Sequence, residues 1–445
     1  MAAGEERGAD AGARPRGLRV SPGPAAARGK PITLRFGSRS IPAFEGETVG
    51  AALHAAGERV LMRSIKYHRP RGLFCNAGKC ASCLMRIDGV PNVRACVTPA
   101  RDGMKVESQN AFPSARRDFL GIVDKVYRRN LDLHERFTRP RPLAMAFNAI
   151  ARRMAGFGRI PDLRPLRRPS IGKREVDVLV VGGGPSGLSA AAAAAGEGAS
   201  VLLVDESDRL GGTLLLHPEG AARADALAQR LRAAGGEALP RTTAFGVYLT
   251  DGHGDALEAP GVVAIMTPER VVEVRAKALV VASGYHEAPP LVPGNDLPGV
   301  MGTRAALVLL HRHGILPGTR VAFAGDSPLA ARAREDLAKA GCELVEGPVT
   351  EVWGGRHVEG AVVGGAKTEL DCVLAGGDET PRIELLQQAG ATMALASFAV
   401  VPQALPARVL AAGSVTDVRM PLEARLASGA RAGEAAARLA KGAGA

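Results

Sequence analysis

Four cysteines near the start of the chain are the side chains best suited to chemistry. Cys75, Cys80 and Cys83 lie in the stretch CNAGKCASC, and Cys96 follows in RACVTPA, which gives the spacing C-x4-C-x2-C-x12-C. A [2Fe-2S] cluster takes four thiolates, and three from one tight loop with a fourth from a more distant segment fit that need. Gly78 would let the loop backbone approach the cluster closely. The spacing therefore predicts a [2Fe-2S] site.

Two other interpretations of these cysteines stay open. Zinc also binds four cysteines, although zinc ribbons usually pair one C-x2-C with another rather than three cysteines with one. Structural thiols or disulfides are the third interpretation. The two remaining cysteines, Cys342 and Cys372, stand alone and are predicted to be ordinary buried thiols.

A glycine-rich turn further along the chain suits a dinucleotide. A predicted strand at residues 176–181 leads into Gly182, Gly184 and Gly187, the G-x-G-x-x-G pattern, and a helix of small residues follows at 190–195. Glycines permit the tight turn and let a pyrophosphate reach the free amides at the helix N-terminus. A helix packed on a strand without a ligand is the alternative, but the strand, the glycines and the helix agree with a binding site.

An acid completes this pattern. A second predicted strand, at residues 201–204, ends at Asp205, 23 positions after Gly182, where a carboxylate can bind ribose hydroxyls. The GGT sequence at 211–213 resembles a loop of the two-dinucleotide-binding flavoproteins, which implies FAD with Asp205 at its adenosine ribose. Ser414 stands where that resemblance implies an aspartate beside the ribityl chain, so NAD+ remains an alternative ligand. The candidate dinucleotide residues are Gly182, Gly184, Pro185, Ser186, Gly187, Asp205, Glu206, Gly211, Gly212, Thr213, Gly284, Gly413 and Ser414.

A second nucleotide-type unit, VAFAGDSPLAARAREDLAKAGCELV, departs from the pattern. Phe323 and Ala324 stand where glycines are expected, before Gly325, Asp326 and Ser327. A phenylalanine there would crowd a pyrophosphate, so the unit is predicted to be degenerate. We therefore expect one bound dinucleotide.

No catalytic side chain is predicted. After residue 170 the chain has no C-x-x-C dithiol, which disfavours a disulfide reductase. Five histidines of that part fall in no local catalytic motif and are predicted to be structural or superficial: His217, His286, His311, His313 and His357.

Composition and charge limit the class of protein. The chain has 445 residues and a net charge of +12, unevenly spread: residues 1–170 carry 32 Lys and Arg against 14 Asp and Glu, a net +18, and residues 171–445 a net −6. Only 4% of residues are aromatic and no nucleic-acid module occurs, so the basic half is predicted to dock another subunit rather than nucleic acid. No run of about 18 apolar residues occurs, so we expect no membrane span. The predicted location is the cytoplasm.

The predicted fold class is α/β, a β-grasp ferredoxin-like domain followed by a Rossmann-type two-dinucleotide-binding flavoprotein domain. Strands are predicted at 32–36 and 39–43 and a helix at 48–56. Four apolar side chains of the linker are predicted to bind the domains together or to contact a partner subunit: Phe119, Leu120, Ile122 and Val126. The predicted division is a disordered tail at 1–30, the [2Fe-2S] domain at 31–110, a basic helical linker at 111–173, the FAD/NAD(P)-binding domain at 174–290 and 403–445, and an inserted degenerate NAD(P)-type domain at 291–402.

Further segments carry a family resemblance: KYHRPRG, ALVVASGYHEAPPLVPGNDLPGVM, LLHRHGILPGTRV and VLAGGDETPRIELLQQAG. With the cysteine domain, which resembles plant-type ferredoxins, they are similar to the amino-terminal half of heterotetrameric sarcosine oxidase alpha subunits. Relatives are opine oxidase, hydrogen cyanide synthase and proline or hydroxyproline dehydrogenase complexes.

The resemblance implies an electron-transfer subunit of a heteromeric flavin-dependent amine or imino-acid dehydrogenase or oxidase. A separate, amino-acid-oxidase-like flavoprotein subunit would oxidise the substrate, and this chain would pass electrons between FAD and the cluster, a two-electron and a one-electron carrier. Two alternatives remain: a self-sufficient NAD(P)H-dependent ferredoxin-type reductase, and a non-catalytic scaffold that holds NAD+.

Overall fold

The computed structural model describes residues 17–20, 28–122, 139–154, 170–217, 219–251, 253–377, 379–396 and 399–442. It confirms the α/β class, with a ferredoxin-like domain followed by a Rossmann-type domain.

The ferredoxin-like domain is a five-stranded sheet with one helix. Its elements are β1 (Pro31–Phe36), β2 (Arg39–Phe44), α1 (Val49–Ala55), β3 (Met62–Arg63), β4 (Pro70–Arg71), β5 (Leu84–Ile87), β6 (Val90–Arg94) and β7 (Lys105–Glu107). The sheet order is β2-β1-β7-β5-β6, and β3 pairs with β4 outside it. Thr48 caps α1, because its side chain accepts the Ala51 amide. The predicted β1, β2 and α1 are confirmed to within one residue at each end.

Part of the predicted disordered tail is ordered. Leu18 is buried in a core shared with the inserted domain, and its carbonyl accepts the Leu316 amide at 2.8 Å. The Val20 amide donates to the Gly314 carbonyl at 2.9 Å. The prediction is therefore wrong for residues 17–20, because a tertiary contact, and not local periodicity, fixes this short stretch. Residues 1–16 and 21–27 lie outside the described residues.

The linker prediction is only partly covered. One helix, α2 (Arg141–Met154), is described, whereas residues 123–138 and 155–169, with Val126, lie outside the described residues. Phe119 and Ile122 are 71% and 63% exposed, so the prediction that they bind the domains together is wrong for these two side chains. Leu120 is half-buried.

The nucleotide-binding domain contains a seven-stranded sheet in the order β10-β9-β8-β13-β12-β11, with a last strand, β25, beside β13. The strands β10, β9, β8 and β13 are parallel, and the run VLVV at the end of β8 is apolar because both faces of the sheet are buried there. The elements are β8 (Ile171–Val181), α3 (Pro185–Gly196), β9 (Val201–Val204), α4 (Gly220–Ala233), β10 (Glu237–Leu239), β11 (Thr243–Tyr248), β12 (Val262–Met266), β13 (Val271–Val281) and β14 (Tyr285–Glu287).

The chain then forms a parallel sheet in the order β15-β21-β16-β17, an antiparallel sheet β18-β19-β20 and two strand pairs, β14-β22 and β23-β24, before it returns to the first sheet. The elements are β15 (Val300–Gly302), α5 (Thr303–His313), β16 (Arg320–Ala324), α6 (Pro328–Lys339), β17 (Glu343–Val345), β18 (Val349–Trp353), β19 (Gly360–Val363), β20 (Ala366–Glu369), β21 (Cys372–Ala375), β22 (Glu379–Pro381), α7 (Glu384–Gln388), β23 (Thr392–Ala396), β24 (Ala399–Ala404), β25 (Val409–Ala411) and α8 (Leu422–Ala440).

The ferredoxin-like domain packs directly on the inserted unit. Leu53 of α1 and Leu309 of α5 belong to one continuous buried cluster. At the same boundary Arg59 lies 3.6 Å from the Asp371 carboxylate, and the His54 ring is 3.0 Å from the Pro317 carbonyl. Such packing fixes the cysteine loop relative to the rest of the chain. Among the described helices, none is long and apolar enough to cross a membrane.

Candidate functional site

The cysteine loop between β4 and β5 brings all four predicted cluster ligands together. The Cys75 thiol is a neighbour of those of Cys80 and Cys96, and the Cys83 thiol is a neighbour of that of Cys96. Cys83 and Cys96 are buried, whereas Cys75 and Cys80 are partly exposed. The segment after β6 forms a short 3-10 helix, Ala95–Val97, that carries the fourth cysteine back to the other three.

Backbone amides of the loop are directed at these sulfurs. The Gly78 amide donates to Cys96 Sγ at 3.3 Å. The thiols of Cys80 and Cys96, and then the loop amides, lower the pKa of Cys75 far below its usual range although burial opposes this. Three amides donate to Cys75 Sγ, at 3.4, 3.3 and 3.4 Å: those of Ala77, Lys79 and Cys80.

The loop adopts a backbone conformation that few sequences accept. Gly78 has φ +71°, and two non-glycine residues, Asn76 and Ala81, also have positive φ, at 44° and 57°. Asn76 is buried, and its amide nitrogen and oxygen have no hydrogen-bond partner among the described residues. Within the described residues, no group of three or more His, Cys, Asp or Glu side chains is arranged to hold a single metal ion. The fit to a two-iron cluster rests instead on the four neighbouring sulfurs and the backbone amides that donate to them.

The glycine-rich turn joins β8 to α3, as predicted, and its helix begins at Pro185. A Cβ added to Gly187 would lie 1.6 Å from the Gly182 carbonyl oxygen, so only glycine permits this contact between strand and helix. A Cβ on Gly184 would meet nothing within 4 Å, which leaves the α3 N-terminus open to a ligand.

Asp205 hydrogen-bonds the backbone of this glycine-rich turn. Its two carboxylate oxygens accept the amides of Gly183 at 2.6 Å and Ser207 at 2.7 Å. These charge-assisted bonds join the end of β9 to the glycine turn. The structure therefore gives Asp205 a supporting role that the sequence reasoning missed, in addition to a place at the cavity wall.

Glu206 forms ion pairs with two cations that come from distant segments of the chain. Its side chain pairs with Lys79 of the cysteine loop and with Arg382 at 3.1 Å. Burial opposes ionisation, but the hydrogen bonds and charges of these two cations lower the pKa of Glu206 overall.

Most of the predicted dinucleotide residues line one cavity. Gly187, Gly211 and Gly413 are not part of that lining, and the Gly211 amide donates to the Gly183 carbonyl at 2.7 Å. No local sequence signal marks four further lining side chains, which come from distant segments: Tyr285, Arg304, Arg382 and Arg425. The predicted residues that line the cavity are Gly182, Gly184, Pro185, Ser186, Asp205, Glu206, Gly212, Thr213, Gly284 and Ser414.

A second cavity joins the cysteine loop to the dinucleotide cavity. Cys75 and Cys80 are part of its wall. Tyr285, Arg304 and Arg382 line both cavities, so the two spaces are neighbours. The cysteine ligands and the dinucleotide site therefore face one another across a short boundary.

Glu287 is a half-buried acid of this second cavity that sequence reasoning missed. Its carboxylate accepts the Arg304 amide at 3.1 and 3.0 Å, at the first turn of α5. Burial nevertheless raises the pKa of Glu287 to about 7. His286, predicted to be structural or superficial, also lines this cavity, and burial lowers its pKa.

The other predicted histidines and cysteines lie away from both cavities. His311 lies 2.8 Å from Asp336, and His313 is buried. Cys342 and Cys372 are buried free thiols, as predicted, and burial raises the pKa of both.

In the second nucleotide-type unit, Arg334 contacts Phe323 and the acids that follow two of the strands. Phe323 is buried in the core, so the prediction that its ring would crowd a pyrophosphate is wrong in its mechanism. The Arg334 guanidinium covers that ring at 4.5 Å and pairs with Asp326 at 2.8 Å and Glu346 at 3.7 Å. The acids that follow β16 and β17 are thus already bound by a side chain of α6.

Comparison with known families agrees with this geometry. Residues 29–111 match the model of a 2Fe-2S iron-sulfur cluster binding domain, and residues 177–284 match that of an FAD dependent oxidoreductase. The cofactors are therefore [2Fe-2S] and FAD. The class is an iron–sulfur flavoprotein.

The sequence relatives define the family. The chain is 32% identical to "Sarcosine oxidase subunit alpha" of Rhizobium meliloti over 337 residues, 72% of this chain and 34% of that protein. It is 40% identical to "Hydrogen cyanide synthase subunit HcnA" of Pseudomonas aeruginosa over 87 residues, 19% of this chain and 83% of that protein. The chain belongs to the family of sarcosine oxidase alpha, opine oxidase A and HcnA subunits, as its motifs predicted.

The relatives differ in length from this chain, which spans about a third of the sarcosine oxidase alpha subunits that it matches. Among solved structures, L-proline dehydrogenase from P. horikoshii has the same fold, with a TM-score of 0.69 at 23% identity over 92% of this chain and 73% of that one.

Proposed function

We propose that this chain is the electron-transfer, alpha-type subunit of a heteromeric flavin-dependent oxidoreductase that acts on the C–N bond of an amine or imino acid. The observation that carries the proposal is the boundary shared by the two cavities, with Cys75 and Cys80 on one side and the dinucleotide residues on the other. FAD supplies two-electron chemistry and the cluster accepts single electrons. The chain's task is to hold both at a fixed separation, and the buried interface between the domains serves that task.

A separate flavoprotein subunit of the amino-acid-oxidase type is the proposed partner, which makes the active protein a cytoplasmic hetero-oligomer. The loop at residues 112–122 offers it a firm apolar surface: Phe112, Phe119 and Ile122 are exposed by 64%, 71% and 63%. The loop is anchored from beneath, since the buried side chains of Asp118 and His68 meet at 2.9 Å. A rigid loop that presents large apolar side chains to solvent is typical of an interaction site. The basic charge of residues 1–170 favours a partner with an acidic rim.

The second nucleotide-type unit disfavours a self-sufficient NAD(P)H reductase. A reductase of that kind needs a second working nucleotide site, whereas Phe323 and Ala324 stand in this unit where the pattern has glycines. The match to an FAD dependent oxidoreductase likewise disfavours a scaffold that holds NAD+.

The test is reconstitution with a partner. The purified chain, with its cluster intact, is mixed anaerobically with an amino-acid-oxidase-like flavoprotein from the same gene neighbourhood, and sarcosine, proline or an opine is added. We expect the paramagnetic signal of the reduced cluster only when both proteins and a substrate are present. The Cys80→Ser chain is the matched control without that signal. Reduction of the chain by NADH alone would contradict the proposal and support the reductase.

A further inference from the structure

The cysteine loop contributes one charged side chain to an ion pair with an acid of the dinucleotide cavity wall. The Lys79 ammonium pairs with a carboxylate oxygen of Glu206, although the two residues are 127 positions apart in the chain. The other Glu206 oxygen accepts from Arg382 at 3.1 Å. The side chains of Lys79, Glu206 and Arg382 are 36%, 33% and 16% exposed, so this ion pair network is partly sheltered from solvent.

The same residue contacts a cluster ligand through its backbone. The Lys79 amide donates to Cys75 Sγ at 3.3 Å, and Lys79 directly precedes Cys80. A single residue therefore contacts a candidate cluster thiol with its backbone and an acid of the dinucleotide cavity wall with its side chain. In the described residues, Lys79 belongs to the wall of the second cavity and Glu206 to that of the dinucleotide cavity.

We propose that Lys79 is a positioning residue that couples occupancy of the dinucleotide cavity to the reduction potential of the cluster. The inference rests on the proposed function, because it needs both cofactors on this chain. The ribose hydroxyls of an adenosine diphosphate moiety donate to an acid at the end of the second strand. Because both Asp205 oxygens already accept backbone amides, we assign this contact to the neighbouring Glu206, where the hydroxyls compete with the Lys79 ammonium for the same oxygens. The displaced ammonium remains close to Cys75, because the Lys79 backbone is held there. Since Glu206 no longer neutralises its charge, the ammonium favours the reduced, more negative cluster.

The size of the effect follows from linkage. Coupling between two sites usually changes an affinity by about 5-fold to 150-fold, and the partial exposure of this ion pair places it near the lower end, at about tenfold. A tenfold preference for the reduced state corresponds to a rise of about 59 mV in a one-electron potential. Reciprocity requires that the same ligand bind about tenfold more tightly after the cluster is reduced.

The experiment uses the full chain with its cluster intact and its flavin removed, with ADP as a redox-inactive probe of the cavity. The cluster potential is measured by electron paramagnetic resonance with and without ADP. The variants are Lys79→Met, which removes the charge, and Lys79→Arg, which keeps it. Lys105→Met serves as the matched control, since Lys105 is an exposed lysine of β7 that lines neither cavity.

The ADP-induced change in potential should be about 59 mV more positive in the wild type, Lys79→Arg and Lys105→Met than in Lys79→Met. Comparison with Lys79→Met removes the contribution of the phosphate charges, which act in every variant. If Lys79→Met fails to assemble its cluster, Glu206→Gln tests the same pair from the other side and should also lose the rise.

Two results would overturn the inference and can be told apart. Equal changes in the wild type and in the Lys79 or Glu206 variants, with ADP bound, would remove the coupling and leave the proposed function intact. A wild-type chain that binds neither ADP nor FAD would remove both.

Discussion

Asp205 and Glu206 are adjacent acids, and the structure separates their roles. In Asp205→Asn one side-chain oxygen remains for one of the two amide donors, while the new NH2 group faces the other. Hydrogen bonds to a charged group contribute about 1.5–3 kcal/mol each, so losing one and weakening the other costs about 2–3 kcal/mol. At about 2–4 °C per kcal/mol, the unfolding midpoint of the flavin-free chain should fall by about 5–10 °C. Glu206→Gln should leave that midpoint within about 2 °C, since partly exposed ion pairs contribute little.

The two variants should differ in the opposite sense in FAD binding. Loss of a charged acceptor for the ribose in Glu206→Gln should raise the dissociation constant about tenfold, which is about 1.4 kcal/mol. The assay pairs thermal unfolding of the flavin-free chain with FAD binding followed by flavin fluorescence. If Asp205→Asn left the midpoint unchanged and weakened FAD as much as Glu206→Gln does, the supporting role of Asp205 would be wrong.

Three further results are expected. Cys80→Ser should remove the reduced-cluster paramagnetic signal, whereas Cys342→Ser, at a buried thiol that donates to the Gly318 carbonyl, should keep it; a retained signal in Cys80→Ser would contradict the ligand assignment. Burial raises the pKa of Glu287 to about 7 in the folded state, so the folded state retains a proton that the unfolded state loses near pH 4.5. The free energy of unfolding should therefore fall by about 3 kcal/mol as pH rises from about 4.5 to 7 and level off above pH 7. Glu287→Gln should lack this pH-dependent component when thermal unfolding is measured against pH. The double variant Phe119→Ser with Ile122→Ser should leave the unfolding midpoint of the isolated chain unchanged but weaken partner binding in calorimetry. The control Leu395→Ser, at an exposed leucine outside this loop, should not weaken partner binding.

Local patterns account for the parts of the site that are contiguous in sequence. The cysteine spacing, the glycine turn and the acids after β9 each lie in one short segment, and each geometry follows from strand, turn and helix preferences. The core strand β8 and the helix α3 were predictable for the same reason.

The shared boundary could not be predicted in this way. Arg382 is 176 positions from Glu206, and no periodicity or motif relates them. Lys79 appears in the sequence only as a polar residue between two ligands. Their convergence depends on how the ferredoxin-like domain packs on the inserted unit, which is a matter of tertiary burial rather than local preference.

The same limit explains two wrong expectations. Leu18 is ordered only because α5 and the segment after it offer a place to bury it. Phe323 does not crowd a ligand as expected, because strand residues alternate between faces and this ring lies in the core. In both cases the sequence alone does not specify the face against which a side chain packs.

Electron exchange between the two cofactor sites is the central claim. An anaerobic reductive titration of the reconstituted full chain tests this exchange. Dithionite is added stepwise while flavin absorbance and the cluster's paramagnetic signal are recorded together. We expect about three electrons per chain, two for FAD and one for the cluster, with the two signals keeping one common equilibrium potential at every step. A chain that stays colourless after reconstitution with iron and sulfide, or one that binds zinc instead, would contradict the account.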